Sequence, residues 1–372
     1  MTRSRVRLGG NRIGSFFGAA VAIALVLQAQ SPSAAPCHDH EKDFLARVSD
    51  LPGYPDGIVL RKNRVYVAGP ALGVDAGGAP SEIAVFHEKT GKPLETIPIQ
   101  GEDVAAPHAL TGLTVDGNGR LYAVSSQLGV LRLSEKKHGM WQQSVYAGPF
   151  PDLPSCDPVN PVDLCSPNPY ELPPMPSDIA LAKDGYAYVT DAAQATIYRI
   201  PPGGGTPEIW LRSAKLAGYY DLQGARGILV SADGKSLYVT VAFSAGAAWE
   251  GRIYKIRRVV APSEDDITLV HVFSNFEAPA GLGLGEDGAL FVALSITNEI
   301  AVVKPTGGEL GRFSAATNEE VPLDGPAHVA FDGKGGLYVT NQAIGSGVLD
   351  HFAVVEVDVK DRGHKNPQPK LP

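Results

Sequence analysis

The chain is poor in cysteine and almost free of helical periodicity, and both absences narrow the fold class. Its 372 residues include 3 cysteines, too few for a fold that depends on a network of disulfides. Apolar residues rarely recur at the three- and four-residue spacing of an amphipathic helix. Glycine shows no triplet period, which excludes collagen, and a hydrophobic fraction of 44% excludes a disordered chain. We therefore expect a folded domain built of strands.

One apolar run near the start of the chain has the form of a leader. Residues 1–14 carry four arginines and no acid, and residues 15–29 are apolar but short for a membrane span. This arrangement is typical of a secretory signal peptide, which we assign to residues 1–35, with an uncleaved anchor as the alternative. We therefore expect a secreted or periplasmic protein.

Positive charge is scarce once the leader is removed. The remaining residues hold 28 basic and 40 acidic side chains, a net charge of −12. Such a chain is not drawn to nucleic acid or to anionic lipid by its charge. We expect no nucleic-acid partner and no membrane association after cleavage.

Two of the cysteines lie in a proline-rich loop at residues 149–176. Cys156 and Cys165 are separated by eight residues there, and an exported protein can keep them oxidised. We expect a disulfide between them, which leaves Cys37 over. A long loop pinned in this way is suited to cover the mouth of a binding site, and the alternative is an ordered surface embellishment.

A pattern of strand, turn and strand occurs six times. Each copy joins a short apolar strand, a turn that usually contains Asp-Gly or a similar glycine pair, and a second strand rich in tyrosine and valine. This is the pattern of a β-hairpin. The copies begin at residues 56, 111, 177, 226, 280 and 327.

The spacing of the copies predicts the fold. They lie 47 to 66 residues apart, which leaves room in each period for a four-stranded sheet, or blade. Six blades arranged radially form an all-β, six-bladed β-propeller, in which the blades protect one another's edges. The last copy lacks an evident fourth strand, so we expect residues 44–48 to supply it and close the ring. The predicted propeller spans residues 44–360, between a flexible N-terminal tail at 36–43 and a C-terminal tail at 361–372.

This pattern resembles the six-bladed propeller superfamily that includes gluconolactonase, regucalcin, paraoxonase and the NHL-repeat proteins. For gluconolactonase-like and regucalcin-like enzymes, the resemblance implies a divalent cation, usually Ca²⁺, held by a glutamate of the first blade and by Asn or Asp from three later innermost strands. Asp56 fills the first position, and Ser177 stands at the second, beside Asp178. Arg226 and Ala280 occupy the other two and cannot bind a cation. The candidate metal ligands are therefore Asp56 and Asp178, with two of four expected positions lost.

A second interpretation starts from side chains that are unusual among the copies. Four copies have glycine at their second residue, whereas Asp178 and His328 replace it. His328 can serve as a general base while Arg226 holds a substrate carboxylate or a developing oxyanion. Alternatively, His328 is structural and Arg226 forms an ion pair across the channel. The candidate residues are His328, Asp178 and Arg226 as catalytic groups and Asp56, Ser177 and Asn341 as channel-binding groups.

These features favour a secreted, gluconolactonase-like hydrolase that acts on a small lactone or related ester in the central channel. The loss of two metal positions keeps a second function open, a non-catalytic NHL-type propeller that binds a ligand, a glycan or a protein. A lyase is a third, because a histidine base beside a cation can remove a proton next to a carbonyl. The enzyme interpretations share a small-molecule substrate.

Overall fold

The computed structural model describes residues 42–157, 159, 164–219, 224–247, 249–314 and 321–372. The expected signal peptide, Cys37 and most of the expected N-terminal tail lie outside these residues. Within the described part of the chain, no helix combines the length and the hydrophobicity needed to cross a membrane.

The described residues form 24 β-strands and four short 3-10 turns. The strands are β1 (Lys42–Arg47), β2 (Ile58–Arg61), β3 (Arg64–Gly69), β4 (Glu82–His87), β5 (Pro93–Pro98), β6 (Leu110–Val115), β7 (Leu121–Ser125), β8 (Gly129–Glu135), β9 (Trp141–Ala147), β10 (Pro176–Leu181), β11 (Ala187–Asp191), β12 (Thr196–Ile200), β13 (Glu208–Arg212), β14 (Ala225–Val230), β15 (Ser236–Val241), β16 (Glu250–Arg257), β17 (Ile267–Asn275), β18 (Pro279–Leu284), β19 (Leu290–Leu294), β20 (Glu299–Val303), β21 (Glu309–Ser314), β22 (Pro326–Phe331), β23 (Gly336–Asn341) and β24 (Ala353–Asp358). The 3-10 turns are Lys137–Gly139, Ala214–Leu216, Glu264–Asp266 and Leu349–His351.

The strands form six antiparallel sheets of four, which confirms the predicted six-bladed β-propeller. Blades 1 to 5 take their strands in chain order, from β2–β5 to β18–β21. Blade 6 contains β22, β23, β24 and, at its outer edge, β1. The segment that we expected at this edge was residues 44–48, and the strand found there is Lys42–Arg47.

The first strand of each blade lies next to the central channel. These innermost strands are β2, β6, β10, β14, β18 and β22, and each contacts the innermost strand of the next blade around the ring. Blades 3 and 6 therefore stand opposite each other, as do blades 2 and 5. We call the face at which the innermost strands begin the entry face, and the face at which they end the exit face.

The hydrophobic core lies between neighbouring blades. The second strands β7, β11, β15, β19 and β23 are buried along their whole length. Tyr122 and Val124 of blade 2, for example, pack with Ile179 and Val189 of blade 3. A blade that is covered on both faces needs apolar residues on both, which explains why the second strands are so rich in tyrosine and valine.

A threonine near the end of the second strand joins neighbouring blades in three places. The Thr240 hydroxyl accepts a hydrogen bond from Gly227 N in its own blade, at 2.8 Å, and donates to the Ala280 carbonyl of the next, at 2.6 Å. Thr190 and Thr340 make the same pair of bonds in blades 3 and 6. Each hydroxyl thereby fixes two innermost strands relative to each other.

The proline-rich loop packs on blade 3, and the expected disulfide is present. Cys156 and Cys165 are bonded, with their Cα atoms 4.9 Å apart. The Arg212 guanidinium donates to the Cys165 carbonyl at 2.8 Å, and the Gln194 side chain donates to Asp152 at 2.8 Å. These bonds fasten the described part of the loop to the turn between β11 and β12 and to the end of β13.

Residues 361–372, expected to be a tail, cross the exit face, and we call them the crossing segment. On the blade 5 side, His364 N donates to the Leu284 carbonyl at 2.6 Å. On the blade 2 side, Gly117 N donates to the Pro369 carbonyl at 2.9 Å. Leu371 is buried in the core between blades 2 and 3. The segment therefore spans the mouth of the channel between opposite blades.

Candidate functional site

The innermost strands approach one another most closely at the second residue of each hairpin copy. A Cβ atom on Gly57 would lie 2.1 Å from a carbonyl oxygen of blade 2. On Gly281 it would lie 2.6 Å from the His328 ring. Gly112 and Gly227 are similarly crowded by the next blade. Glycine is thus required for close packing in four blades. At this level of the channel, only blades 3 and 6 contribute side chains, Asp178 and His328.

His328 lies between two carboxylates that come from other blades. Its Nδ1 is 2.8 Å from Asp56 Oδ1 of blade 1, and its Nε2 is 3.4 Å from Asp178 Oδ2 of blade 3. The three side chains are 12%, 2% and 9% exposed, so the cluster is largely buried. Two of the predicted catalytic residues and one predicted channel residue therefore form a single cluster across the channel.

Backbone groups hold the Asp178 carboxylate in this position. Its Oδ1 accepts from Ile179 N at 2.7 Å, and its Oδ2 accepts from Ile228 N of blade 4 at 3.0 Å. The Asp178 amide is itself bonded to the Thr190 hydroxyl. The carboxylate is thus oriented before any ligand arrives.

The two carboxylates determine the protonation of His328. Burial is the largest single influence and lowers the pKa of a histidine, but Asp178 and Asp56 together outweigh it and raise the pKa of His328 to about 10. At neutral pH the ring is therefore an imidazolium with a proton on each nitrogen. In this state His328 can donate a proton but cannot accept one.

The Nε2 proton of His328 has no hydrogen-bond acceptor among the described residues. This nitrogen is buried, and its contact with Asp178 is an ion pair at 3.4 Å rather than a short hydrogen bond. His328 and Asp178 both border a cavity of about 510 Å³ in the channel, which extends to residues 362–368 of the crossing segment. A small molecule in this cavity would lie beside an oriented carboxylate and a histidine whose buried Nε2 has no hydrogen-bond partner among the described residues.

The structure does not bring the other predicted residues into this cluster. Arg226 is half-buried at the start of β14, and its guanidinium makes no hydrogen bond or ion pair with the described residues. Ser177 is buried beside Asp178. Asn341 is fully buried, and its amide accepts from Asp324 N and donates to the Pro322 carbonyl. Its polar atoms thus fasten the chain between blades 5 and 6.

The residues at the expected calcium positions do not fit that ion. The Asp56 carboxylate is bonded to the His328 ring, and the same ring lies against Asp178. Arg226 and Ala280 offer no ligand oxygen from their side chains. Among the described residues, no group of three or more His, Cys, Asp and Glu side chains is arranged to hold a metal.

Two features of the site region escaped the sequence analysis. The blade-joining threonines follow Tyr-Val in three of the hairpin copies, whereas the sequence analysis considered only the tyrosine and valine. At the entry face, His351 Nδ1 lies 2.7 Å from Asp324 Oδ2. Both of these residues lie outside the hairpin copies, so the repeat gave no signal for them.

The comparisons with solved structures agree with this architecture. A regucalcin from Agrobacterium tumefaciens, described as a calcium-binding protein, superposes with a TM-score of 0.59 at 15% identity, over 88% of this chain and 98% of its own. A gluconolactonase from Xanthomonas campestris gives 0.52 at 17% identity, over 87% and 90%. A virginiamycin B lyase from Staphylococcus aureus gives 0.53 at 16% identity, over 86% and 99%.

At these identities the likeness concerns the fold. It confirms the resemblance to the gluconolactonase and regucalcin propellers that the hairpin copies indicated. No protein-family model matches the sequence, and the comparison with curated proteins gives no match. The chemistry of the channel must therefore be argued from its own residues.

Proposed function

We propose that the protein is a hydrolase of a small lactone or related ester, which it cleaves at the His328–Asp178 end of the channel cavity. The observation that carries this proposal is the His328–Asp178 pair, since both residues border the cavity, the carboxylate is oriented, and the buried Nε2 of His328 has no hydrogen-bond partner among the described residues. A buried donor without an acceptor costs folding free energy, which a substrate oxygen would recover.

In this proposal each of the three residues has a separate role. Asp56 binds Nδ1 and fixes the orientation of the ring. Asp178 takes a proton from the attacking water, whose oxygen bonds to the acyl carbon. The acyl–oxygen bond of the ester then breaks, and the released oxygen takes the proton from His328 Nε2. The proton on Asp178 returns to His328 across the 3.4 Å gap, which restores both groups.

This assignment reverses the role expected for His328. The sequence suggested a general base, whereas the flanking carboxylates favour the imidazolium and leave Asp178 as the base. Arg226 lies at the entry face, outside the cavity lining. Its role in holding a substrate carboxylate stays a prediction.

Hydrolysis of a panel of lactones and aryl esters tests the proposal, with calcium and with a chelator. We expect turnover that resists the chelator and that falls about 100-fold or more in Asp178→Asn. Asp287→Asn, which alters an exposed turn carboxylate of blade 5, is the matched control and should keep wild-type activity. Product mass separates hydrolysis from elimination, because only hydrolysis adds a water. Loss of turnover on chelation, or an active Asp178→Asn variant, would contradict the proposed chemistry.

A non-catalytic binding propeller is the second candidate function. It is favoured by the fact that Asp56 and Asp178 already have partners within the protein and that the crossing segment spans the exit face. Absence of turnover across the panel, combined with saturable binding of a panel member, would support this candidate and count against the hydrolase.

We also propose that the protein is exported. The basic and apolar pattern of residues 1–35 and the Cys156–Cys165 disulfide support this location. The N-terminal residue of the protein recovered outside the cytoplasm tests the proposal, since a chain that retains residues 1–35 would contradict cleavage.

A further inference from the structure

The Asp56–His328–Asp178 cluster contains two buried carboxylates, and their charge must be compensated whether or not the proposed reaction takes place. Asp56 and Asp178 are brought to the channel by blades 1 and 3, and they are 2% and 9% exposed. Buried carboxylates are costly unless a cation compensates them. Proteins commonly meet this need with a divalent ion, which takes carboxylate oxygens at about 2.3–2.6 Å when it is calcium.

Here the compensating group belongs to the chain itself. The His328 ring presents one nitrogen to each carboxylate, at 2.8 and 3.4 Å. Among the described residues, no Lys or Arg side chain forms an ion pair with either acid within 4.0 Å. The ring is therefore the direct cationic contact of both acids.

The neighbouring blades are built to house this ring. Gly281 of blade 5 leaves the space that it occupies, since a Cβ atom there would lie 2.6 Å from the ring. The His328 amide donates to the Thr340 hydroxyl at 3.0 Å, and that hydroxyl donates in turn to the Asp56 carbonyl at 2.6 Å. One threonine thus fixes the backbone of the histidine relative to the backbone of its acid partner.

We infer that the His328 side chain occupies the place where Asp56 and Asp178 would otherwise need a divalent cation, so that the channel of this propeller needs no bound metal between these two acids. Two consequences follow. The wild-type protein needs no calcium for its stability. Removal of the ring leaves two converging carboxylates and a vacant space, which together create a calcium site.

Calcium titration of three purified full-length proteins tests the inference, with melting temperature and isothermal titration calorimetry as readouts. We expect the wild type to show neither binding nor a shift with calcium or chelator. His328→Ala should melt at a lower temperature in chelator and bind calcium. Calcium at a hundred times its Kd should then raise its melting temperature by about 3–6 °C. His351→Ala removes a histidine that contacts one carboxylate, Asp324, and should not respond to calcium.

A double variant identifies the carboxylates responsible. Asp56→Asn combined with His328→Ala leaves one acid and should lose most of the calcium response. If His328→Ala does not fold in chelator, refolding in calcium should recover it, and failure of both His328→Ala and His328→Gln to recover would overturn the inference. A calcium-dependent wild type, or a folded His328→Ala protein indifferent to calcium, would also overturn it. These readouts do not depend on turnover, so they separate this inference from the proposed hydrolase.

Discussion

Asp191 illustrates how a buried acid in this fold can serve structure instead of chemistry. It ends β11, is fully buried, and accepts hydrogen bonds from the amides of Met175, Ala193 and Gln194 at 2.7–2.9 Å. Burial, the largest influence, raises its pKa to about 6, although these bonds oppose the shift. Asn341 has the same place in blade 6 and fastens the connection there. The polar residue at this position therefore anchors the chain that leads into the innermost strand.

The raised pKa of Asp191 predicts a particular dependence of stability on pH. A carboxyl whose pKa is higher in the folded than in the unfolded state binds more protons when folded, so its contribution to stability falls as pH rises from about 4 to about 6. Asp191→Asn lacks this titration. Relative to the wild type, the variant should gain up to about 3 kcal/mol of unfolding free energy over that range.

Urea denaturation of both proteins at several pH values between 4 and 7 measures the change. The loss of one acceptor for the Met175 amide adds a pH-independent difference to this change. A stability difference between the two proteins that stays the same from pH 4 to 7 would contradict the expected titration.

At the scale of single residues, the sequence identified the unusual positions but not their partners. Asp178 and His328 stood out because they replace a glycine that the other copies need. The contact between His328 and Asp56 joins residues 272 apart in the chain, and it depends on the closure of the ring. A repeat alignment gives a position along a strand but not the direction of a side chain, which is why Asn341 was expected to serve the channel.

At the scale of elements, the second strands were likewise predictable in position but not in their contacts. Their tyrosine and valine pattern sufficed to predict them as strands. The hydroxyl groups of their threonines, however, form hydrogen bonds that connect neighbouring blades. Thr240 satisfies an amide in its own blade and a carbonyl in the next, whereas the corresponding residue of blade 5 is Ala293, which cannot. The strength of the contact between blades therefore differs around the ring.

Thr240→Val should weaken the contact between blades 4 and 5. The substitution keeps the shape but leaves the Gly227 amide and the Ala280 carbonyl without their partner, at a cost of about 2–4 kcal/mol in unfolding free energy. Thr240→Ser keeps the hydroxyl and should lose about 1 kcal/mol or less. Chemical denaturation distinguishes the two, and equal stability of the valine variant and the wild type would refute the role of the hydroxyl.

The whole molecule was predictable where it repeats and unpredictable where it does not. Six hairpin copies determine six blades, because each copy can bury its apolar faces only against the next. Residues 361–372 belong to no copy, and their sequence reads as a polar, proline-containing tail. Their place across the exit face depends on amides and carbonyls that become available only when the ring has formed.

Leu371 should contribute to stability because it anchors the end of the crossing segment. It is 4% exposed in the core between blades 2 and 3, so Leu371→Ala should lower the unfolding free energy by about 2–3 kcal/mol. Leu310→Ala, at a position of β21 that is 48% exposed, is the control and should change it by no more than about 0.5 kcal/mol. Urea denaturation measures both, and equal effects of the two substitutions would argue against the anchor.

The crossing segment also changes how the parts of the ring are connected to one another. In a ring of six blades without such a segment, blades 2 and 5 are connected only through the two blades that lie between them on either side. Proteins whose repeats touch only their neighbours can lose structure piecemeal, because each interface breaks on its own. The crossing segment is hydrogen-bonded to Leu284 of blade 5 and to Gly117 of blade 2. It therefore connects two opposite blades directly, so that local unfolding in one half of the ring is opposed by contacts with the other half.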